Sequence, residues 1–534
     1  MSRIKLLDCT LRDGGYVNDW HFGKETIKTL ITGLTTAKID IIECGFLIDH
    51  IYDEQYSLFS DTKEVTTVLE NPDPSILYVA MIAIGEKEIN PIKLSMAEES
   101  PIKGVRLTFH QHEIEKSFYY AHILMDKGYQ VFMQPVGSAN YEDQTLMDLI
   151  KRINDLKPHA FYLVDTLGTM YQNDVRRLLY LLDNNLDQSV ALGLHSHNNL
   201  QMSFANAQDL ISFCTARTIL IDTSIYGMGR GAGNLCTELL TDYLNTNYKA
   251  EYEVLPLLEC IDECLMPIYI QRPWGYSVAY FLASSKNCHP NYASYLLSKQ
   301  TVSVRTISTI LDEIPMERRF LFDKKYIEAL YQSYQKHNVD DLEVLKQLRN
   351  EMKGKEVLVI GTGKAIKEEH ERIATYIEEK HPYVIAVNST PKFEVDLFFI
   401  SNERRYRQLE KSIDHKKAIF TSNLMNLKQK VRYVNYAELL NTSMDVSDQA
   451  GMMVLKLLVK TSAKSVVLAG FDGFSENQVN NYSEDRFIGS SEPEELSKKN
   501  EANAIQIKKR AKDYKISFLT KSLYNQEVAA ASNC

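Results

Sequence analysis

Eight short apolar runs separated by longer helical patterns, then a second and shorter series of the same alternation, predict an α/β protein: a (β/α)8 TIM barrel with a helical extension, followed by a doubly wound Rossmann-like domain. The eight runs lie at 3–8, 39–44, 76–83, 103–108, 129–134, 160–165, 189–194 and 218–223. Barrel strands are covered by side-chain layers inside and helices outside. They therefore read as unbroken runs such as Ile39-Asp40-Ile41-Ile42 and Phe161-Tyr162-Leu163-Val164, without clean alternation. The second observation is where polar residues fall. Arg12 and Asp13 follow the first run, Glu43 ends the second, Asp165 ends the sixth, and His195 and His197 end the seventh. All would converge on the carboxyl-terminal mouth of a barrel.

The apolar run Val190-Ala191-Leu192-Gly193-Leu194 feeds directly into His195-Ser196-His197. In an extended strand, residues two apart point to one side, so both imidazoles can reach one cation, and a carboxylate from another strand can complete the charged shell. The chain opens with Leu7-Asp8-Cys9-Thr10-Leu11-Arg12-Asp13-Gly14-Gly15 and later carries Gly227-Met228-Gly229-Arg230-Gly231-Ala232-Gly233-Asn234. Glycines of the latter let the backbone approach a ligand closely. A phosphate cradle there would need a Lys-Ser/Thr ending, which Asn234-Leu235-Cys236-Thr237 does not supply.

Together these three segments resemble the metal-dependent pyruvate aldolases and their relatives, hydroxymethylglutaryl-CoA lyase and isopropylmalate synthase, over about the first 340 residues. The resemblance implies Asp13, His195 and His197 as metal ligands, with Asn234 beside them. Mn²⁺ or Mg²⁺ is the expected ion, and two imidazoles also admit Co²⁺, Fe²⁺ or Zn²⁺. It further implies that Arg12 stabilises an enolate, that Glu43 organises the site, and that Tyr276, in Trp274-Gly275-Tyr276-Ser277, reaches back to the substrate; a core tyrosine is the alternative. The implied reaction cleaves or forms a 4-hydroxy-2-oxo acid through pyruvate enolate, with a small 2-oxo acid and an aldehyde as partners.

One position departs from the pattern. Hydroxy-oxovalerate aldolases place a histidine three residues beyond the aspartate, where this chain has Tyr16. A free tyrosine titrates near ~10 and His21, close by in Asp19-Trp20-His21, near neutrality, so His21 is the candidate base and Tyr16 its competitor. Tyr16 also replaces the glutamine common in Claisen-type members. Three alternatives are carried: a Claisen-type acyl-CoA synthase or lyase, a bifunctional nucleotide-dependent transferase, and a non-catalytic metal-binding scaffold.

Length and charge bound the rest. At 534 residues the chain needs more than one domain, and the reading divides it into a barrel over 1–255, a helical extension over 256–348 and an α/β domain over 349–534. A net charge of −10, from 60 basic and 70 acidic side chains, argues against a nucleic-acid partner. No stretch approaches the ~18 continuous apolar residues of a membrane span, and Met1-Ser2-Arg3-Ile4-Lys5 reads as the approach to the first strand. Eight scattered cysteines suit thiols in a reducing cytoplasm. Association into a homo-oligomer is left open.

The third domain restarts at Lys355-Glu356-Val357-Leu358-Val359-Ile360-Gly361-Thr362-Gly363-Lys364, with further runs at 383–387, 395–400, 417–420 and 465–470. Gly361 and Gly363 form part of a dinucleotide fingerprint whose third glycine is Ile366, and Asn388 stands where an acidic ribose ligand belongs. The expectation is therefore a nucleotide other than NAD, its phosphate at Gly361, Gly363 and Lys364.

Overall fold

The computed structural model describes residues 4–525 apart from 139–140, 214, 428–430, 462, 476, 478–479, 485–486 and 488–492. Met1-Ser2-Arg3, Cys214 and Cys534 lie outside the described residues. The chain folds as two compact units, Met1–Pro290 and Asn291–Cys534. In the first, eight parallel strands form the barrel: β1 (Ile4–Asp8), β2 (Ile41–Leu47), β3 (Leu77–Ala83), β4 (Gly104–Phe109), β5 (Gln130–Pro135), β6 (Ala160–Asp165), β7 (Ala191–Ser196) and β8 (Ile219–Thr223). The sheet closes because β1 pairs on both sides, Leu7 against Ile41 of β2 and Leu6 against Ile221 of β8. Each strand overlaps one of the eight apolar runs.

The pleat sorts each strand into two cores. Leu7, Ile41, Val79, Phe132, Tyr162 and Leu220 pack in the barrel interior, while their neighbours Leu6, Ile42, Ala80, Val131, Phe161 and Ile221 pack against the surrounding helices. The same phase turns Glu43, Arg106, His195 and Asp222 inward, because Ile42, Val105, Leu194 and Ile221 beside them belong to the outer core. A charged group at such a position must find its partners inside the barrel.

A two-residue strand, Leu58–Phe59, pairs with the end of β2 and was not foreseen; two residues are too few to carry a period. The segment after the barrel is helical as expected. Leu255–Cys260, Met266–Gln271 and Val278–Ser285 belong to the first unit, and Val304–Asp312, Lys324–Gln335 and Leu342–Glu351 to the second.

The second unit is built on a parallel sheet of β9 (Val357–Ile360), β10 (Tyr383–Val387), β11 (Leu397–Ile400), β12 (Ala418–Thr421), β13 (Arg432–Val434), β14 (Ser465–Ala469) and β15 (Lys515–Phe518). Its order is β13-β12-β11-β10-β9-β14-β15. Val357, Val359 and Ile385 pack on one face, Leu358, Ile360 and Val384 on the other, so helices cover both sides in the doubly wound manner, consistent with a Rossmann-like domain. The edge strands β13 and β15 escaped the sequence reading. Arg-Tyr-Val and Lys-Ile-Ser-Phe mix polar with apolar residues, as exposed edges do. Among the described residues no helix is long and apolar enough to cross a membrane.

Candidate metal centre

The loop after β1 is pinned before it can present its side chains. Asp8, at the end of that strand, accepts from the Thr10 amide at 2.9 Å and the Thr237 hydroxyl at 2.6 Å. The Ile225 amide donates to the Thr10 hydroxyl at 2.8 Å, the Ser57 hydroxyl to the Leu11 carbonyl at 2.7 Å, and the Trp20 indole to the Arg12 carbonyl at 2.8 Å. Arg12 and Asp13 are thus held, buried, over the barrel mouth.

There Asp13 meets the two histidines of β7. One ligand atom each from Asp13, His195 and His197 lies within 4.8 Å of the others, and all three residues are buried. Nδ1 of His195 is 2.9 Å from Asp222 Oδ2, which leaves Nε2 to face the centre. A backbone bridge between His197 and Asn234 brings the glycine-rich loop alongside, and Asn234 Nδ2 donates to Asp13 Oδ2 at 2.7 Å. Gly229 is required by this closeness: a Cβ there would stand 2.3 Å from Asn234 Nδ2 and 2.7 Å from Asp13 Oδ2.

The donor set fits a divalent cation. Nδ1 of His197 and Oδ1 of Asn234 are buried without a hydrogen-bond partner. Burial pulls His197 down to about 3, so its imidazole is neutral. Burial alone would raise the Asp13 carboxyl, yet the Arg12 guanidinium foremost, with Arg230, holds it well below the usual carboxylate range. One carboxylate and two imidazoles with open positions are ligands that transition metals and Mg²⁺ accept.

Around the centre runs a buried ionic network. Arg12 Nε donates to Glu43 Oε2 at 2.8 Å and Nη1 to Asp13 Oδ1 at 2.6 Å; Arg106 Nη1 donates to Glu43 Oε2 at 2.6 Å and Nη2 to Asp222. Three carboxylates stand against two guanidiniums, leaving a net negative charge for a cation to balance. Nη2 of Arg12 has no partner. Sequence reasoning missed Asp222 and Arg106. The signal was present: each is a charged residue in the inward phase of an otherwise apolar strand run.

Other expected residues fall apart from this cluster. His21 is exposed, its ring 4.8 Å from that of Tyr56, and Tyr276 is 59 % exposed, so the core alternative does not describe Tyr276. Tyr16 is nearer. Burial pushes its hydroxyl up to about 12, and Arg230 lies over its ring at 5.4 Å. Asp165 accepts from the amides of Thr169 and Met170 at 2.9 and 3.0 Å and so shapes the loop after β6; burial raises it to about 6.

A closed parallel barrel carrying a buried carboxylate–imidazole cluster at the carboxyl ends of its strands has the architecture of an enzyme, and the proteins it is similar to are aldolases, lyases and a decarboxylase. The family model described as HMGL-like matches residues 3–254, and this barrel is an HMGL-like domain. The chain is 26 % identical over 279 residues to a 4-hydroxy-2-oxovalerate aldolase of Carboxydothermus hydrogenoformans, covering 51 % of this chain and 80 % of the relative. It is 28 % identical over 246 residues to an oxaloacetate decarboxylase of Mycobacterium tuberculosis, covering 44 % and 68 %. Among solved structures, the HMG-CoA lyase of Brucella melitensis is similar with a TM-score of 0.40 at 14 % identity, over 48 % of this chain and 96 % of that one.

Proposed function

We propose that the barrel is a divalent-metal-dependent aldolase that cleaves or forms a 4-hydroxy-2-oxo acid through pyruvate enolate. The observation that carries the reading is the unpartnered Nη2 of Arg12 beside the Asp13, His195 and His197 cluster. Asp13, His195 and His197 would hold the ion, Mn²⁺ or Mg²⁺ foremost, with Asn234 fixing the Asp13 carboxylate. When bound, such an ion supplies Lewis-acid polarisation of a 2-oxo acid's keto group.

The chain's own residues do the rest. Arg12 offers Nη2 to the oxyanion that develops as the C3–C4 bond breaks, while Glu43 and Asp13 grip its other two nitrogens and fix its direction. Asp222 orients His195 and sets its tautomer. Tyr16, kept protonated by burial, is a donor suited to the aldehyde oxygen in the condensation direction. Mixing pyruvate, Mn²⁺ and a panel of aldehydes with the protein tests this reading by mass spectrometry; condensation products are expected, and their absence across the panel refutes it.

Two variant sets refine it. Asp222→Asn is expected to weaken metal binding by about 10–100-fold, the usual cost of losing a group that orients a histidine ligand. Chelator competition reads this, and unchanged affinity removes Asp222 from the role. Burial reverses the ranking of His21 and Tyr16 that their ordinary titration suggests. Tyr16→Phe is expected to slow turnover by about 10²–10⁴-fold and His21→Ala to leave it nearly unchanged; the opposite order returns the role to His21.

For the second unit we propose a nucleotide ligand, supported by the cavity at the carboxyl ends of β9 and β14, where the strand order reverses. Among the described residues the cysteines Cys9, Cys44, Cys236, Cys260 and Cys264 form no disulfide, which suits a cytoplasmic setting.

A further inference from the structure

The cavity in the second unit has a volume of about 360 Å³. Its wall includes Gly361-Thr362-Gly363 after β9, Arg405 after β11, Asp472 after β14, and Asn503 from the helix Pro493–Arg510. The glycine turn, which a dinucleotide fingerprint would devote to phosphate, is closed to an anion. The amides of both glycines and of Ala365 are consumed internally: Gly361 donates to the Ala469 carbonyl at 2.8 Å, Gly363 to the Gly470 carbonyl at 3.0 Å, and Ala365 to Asp472 Oδ2 at 2.8 Å. A Cβ on Gly363 would stand 2.4 Å from Asp472 Oδ1, so a carboxylate already fills the place where a phosphate would rest. The helix that follows, Ala365–Glu368, is a single turn, and Lys364 is drawn to Asn480 Oδ1 at 2.5 Å. The expected phosphate contacts at Gly361, Gly363 and Lys364 are therefore not available in this arrangement.

Two ends of the cavity ask for opposite chemistry. At one, Oδ1 of Asp472 and Oδ1 of Asn503 are buried acceptors with no donor, and Asn503 is only 2 % exposed. Hydroxyl groups satisfy such atoms, whereas a phosphate brings no proton and is repelled by the carboxylate. At the other, Arg405 is 7 % exposed, lies over the rings of Tyr482 and Phe487 at 5.2 and 4.0 Å, and donates to the Phe487 carbonyl at 2.9 Å. Among the described residues the Tyr482 hydroxyl bonds to it and the Glu484 carboxylate acts on it electrostatically, but no carboxylate closes on it as a salt bridge. A buried cation in that state calls for an anion; of the other cations in the wall, Lys324 pairs with Asp445 and Lys499 faces Glu495, which leaves Arg405 as the group that would meet it. β11 and β14 stand three strand spacings apart, roughly 14 Å at ~4.8 Å each, the span from ribose to terminal phosphate with side-chain reach included.

We propose that this cavity binds a nucleoside mono- or diphosphate in reversed polarity, with ribose hydroxyls on Asp472 and Asn503 and the phosphate on Arg405, away from the glycine turn. The proposal rests on the nucleotide reading of the second unit. Calorimetry on the full chain with ADP, CMP and UDP, for wild type and Asp472→Asn, tests both. The asparagine keeps an oxygen for the Ala365 amide and removes the charge. Reversed polarity predicts that Asp472→Asn weakens binding about tenfold or more, because a charge-assisted acceptor for the ribose is lost. Phosphate at the turn predicts the opposite sign, tighter binding once the repelling carboxylate is gone; that result, or unchanged affinity, overturns the polarity while leaving a nucleotide site. Binding of none of the three probes by wild type overturns the nucleotide reading itself. A thermal melt of the variant matching wild type assigns the change to the site.

Discussion

Asp13→Ala abolishes metal binding while the barrel stays folded. Asp13 is the charged member of the three-ligand set, and its removal must cost more than the about 10–100-fold typical of a group that merely orients a ligand. The fold survives because the inner core of Leu7, Ile41, Val79, Phe132 and Leu220 does not involve it. Truncation strands Arg12 Nη1, while Asn234 Nδ2 keeps the Met228 carbonyl; the loss of about 1–3 kcal/mol for a buried orphan is below the about 5–15 kcal/mol that holds a typical domain together. His195→Ala should match it in metal content. Metal analysis with a thermal melt is the check, and full stoichiometry in both variants contradicts the ligand assignment.

Arg12→Ala separates binding from chemistry. Arg12 supplies no ligand atom, although it braces Asp13, so metal should still load at saturating concentration; what the substitution removes is a donor whose Nη2 is unpartnered at the centre. Loss of a comparable oxyanion donor costs about 2.7–4 kcal/mol, or roughly 10²–10³-fold in rate. Arg12→Lys should rescue little, because a single ammonium cannot hold Glu43 and Asp13 at once and still point a third bond at substrate. Exchange of the pyruvate C3 protons into D₂O reads the step directly; an unchanged rate in Arg12→Ala removes Arg12 from the mechanism.

Much of the barrel was legible because each strand is covered on both faces, which makes Phe161-Tyr162-Leu163-Val164 continuous and visible. His195 and His197 were legible for a local reason, since period two places both on one side of β7. The ionic network was not. Arg106 and Asp222 look like interruptions of apolar runs, and only the pleat phase of closed strands shows that they meet across the barrel interior. His21 misled because its ordinary titration range suits catalysis, whereas the positive-φ turn at Asp19 and Trp20 carries its ring to Tyr56. The turn at Gly361 and Gly363 misled similarly. Its spacing suggests a phosphate cradle, but Asp472, more than a hundred residues away in sequence, occupies it.

The most direct measurement is wild-type pyruvate C3 exchange in D₂O, followed by NMR before chelation, after chelation, and after Mn²⁺ is restored. The account predicts exchange that vanishes with the chelator, returns with the ion, and never appears in Asp13→Ala. Exchange that persists through chelation, or that is absent from the metal-loaded wild type, contradicts a metal-assisted enolate at this centre.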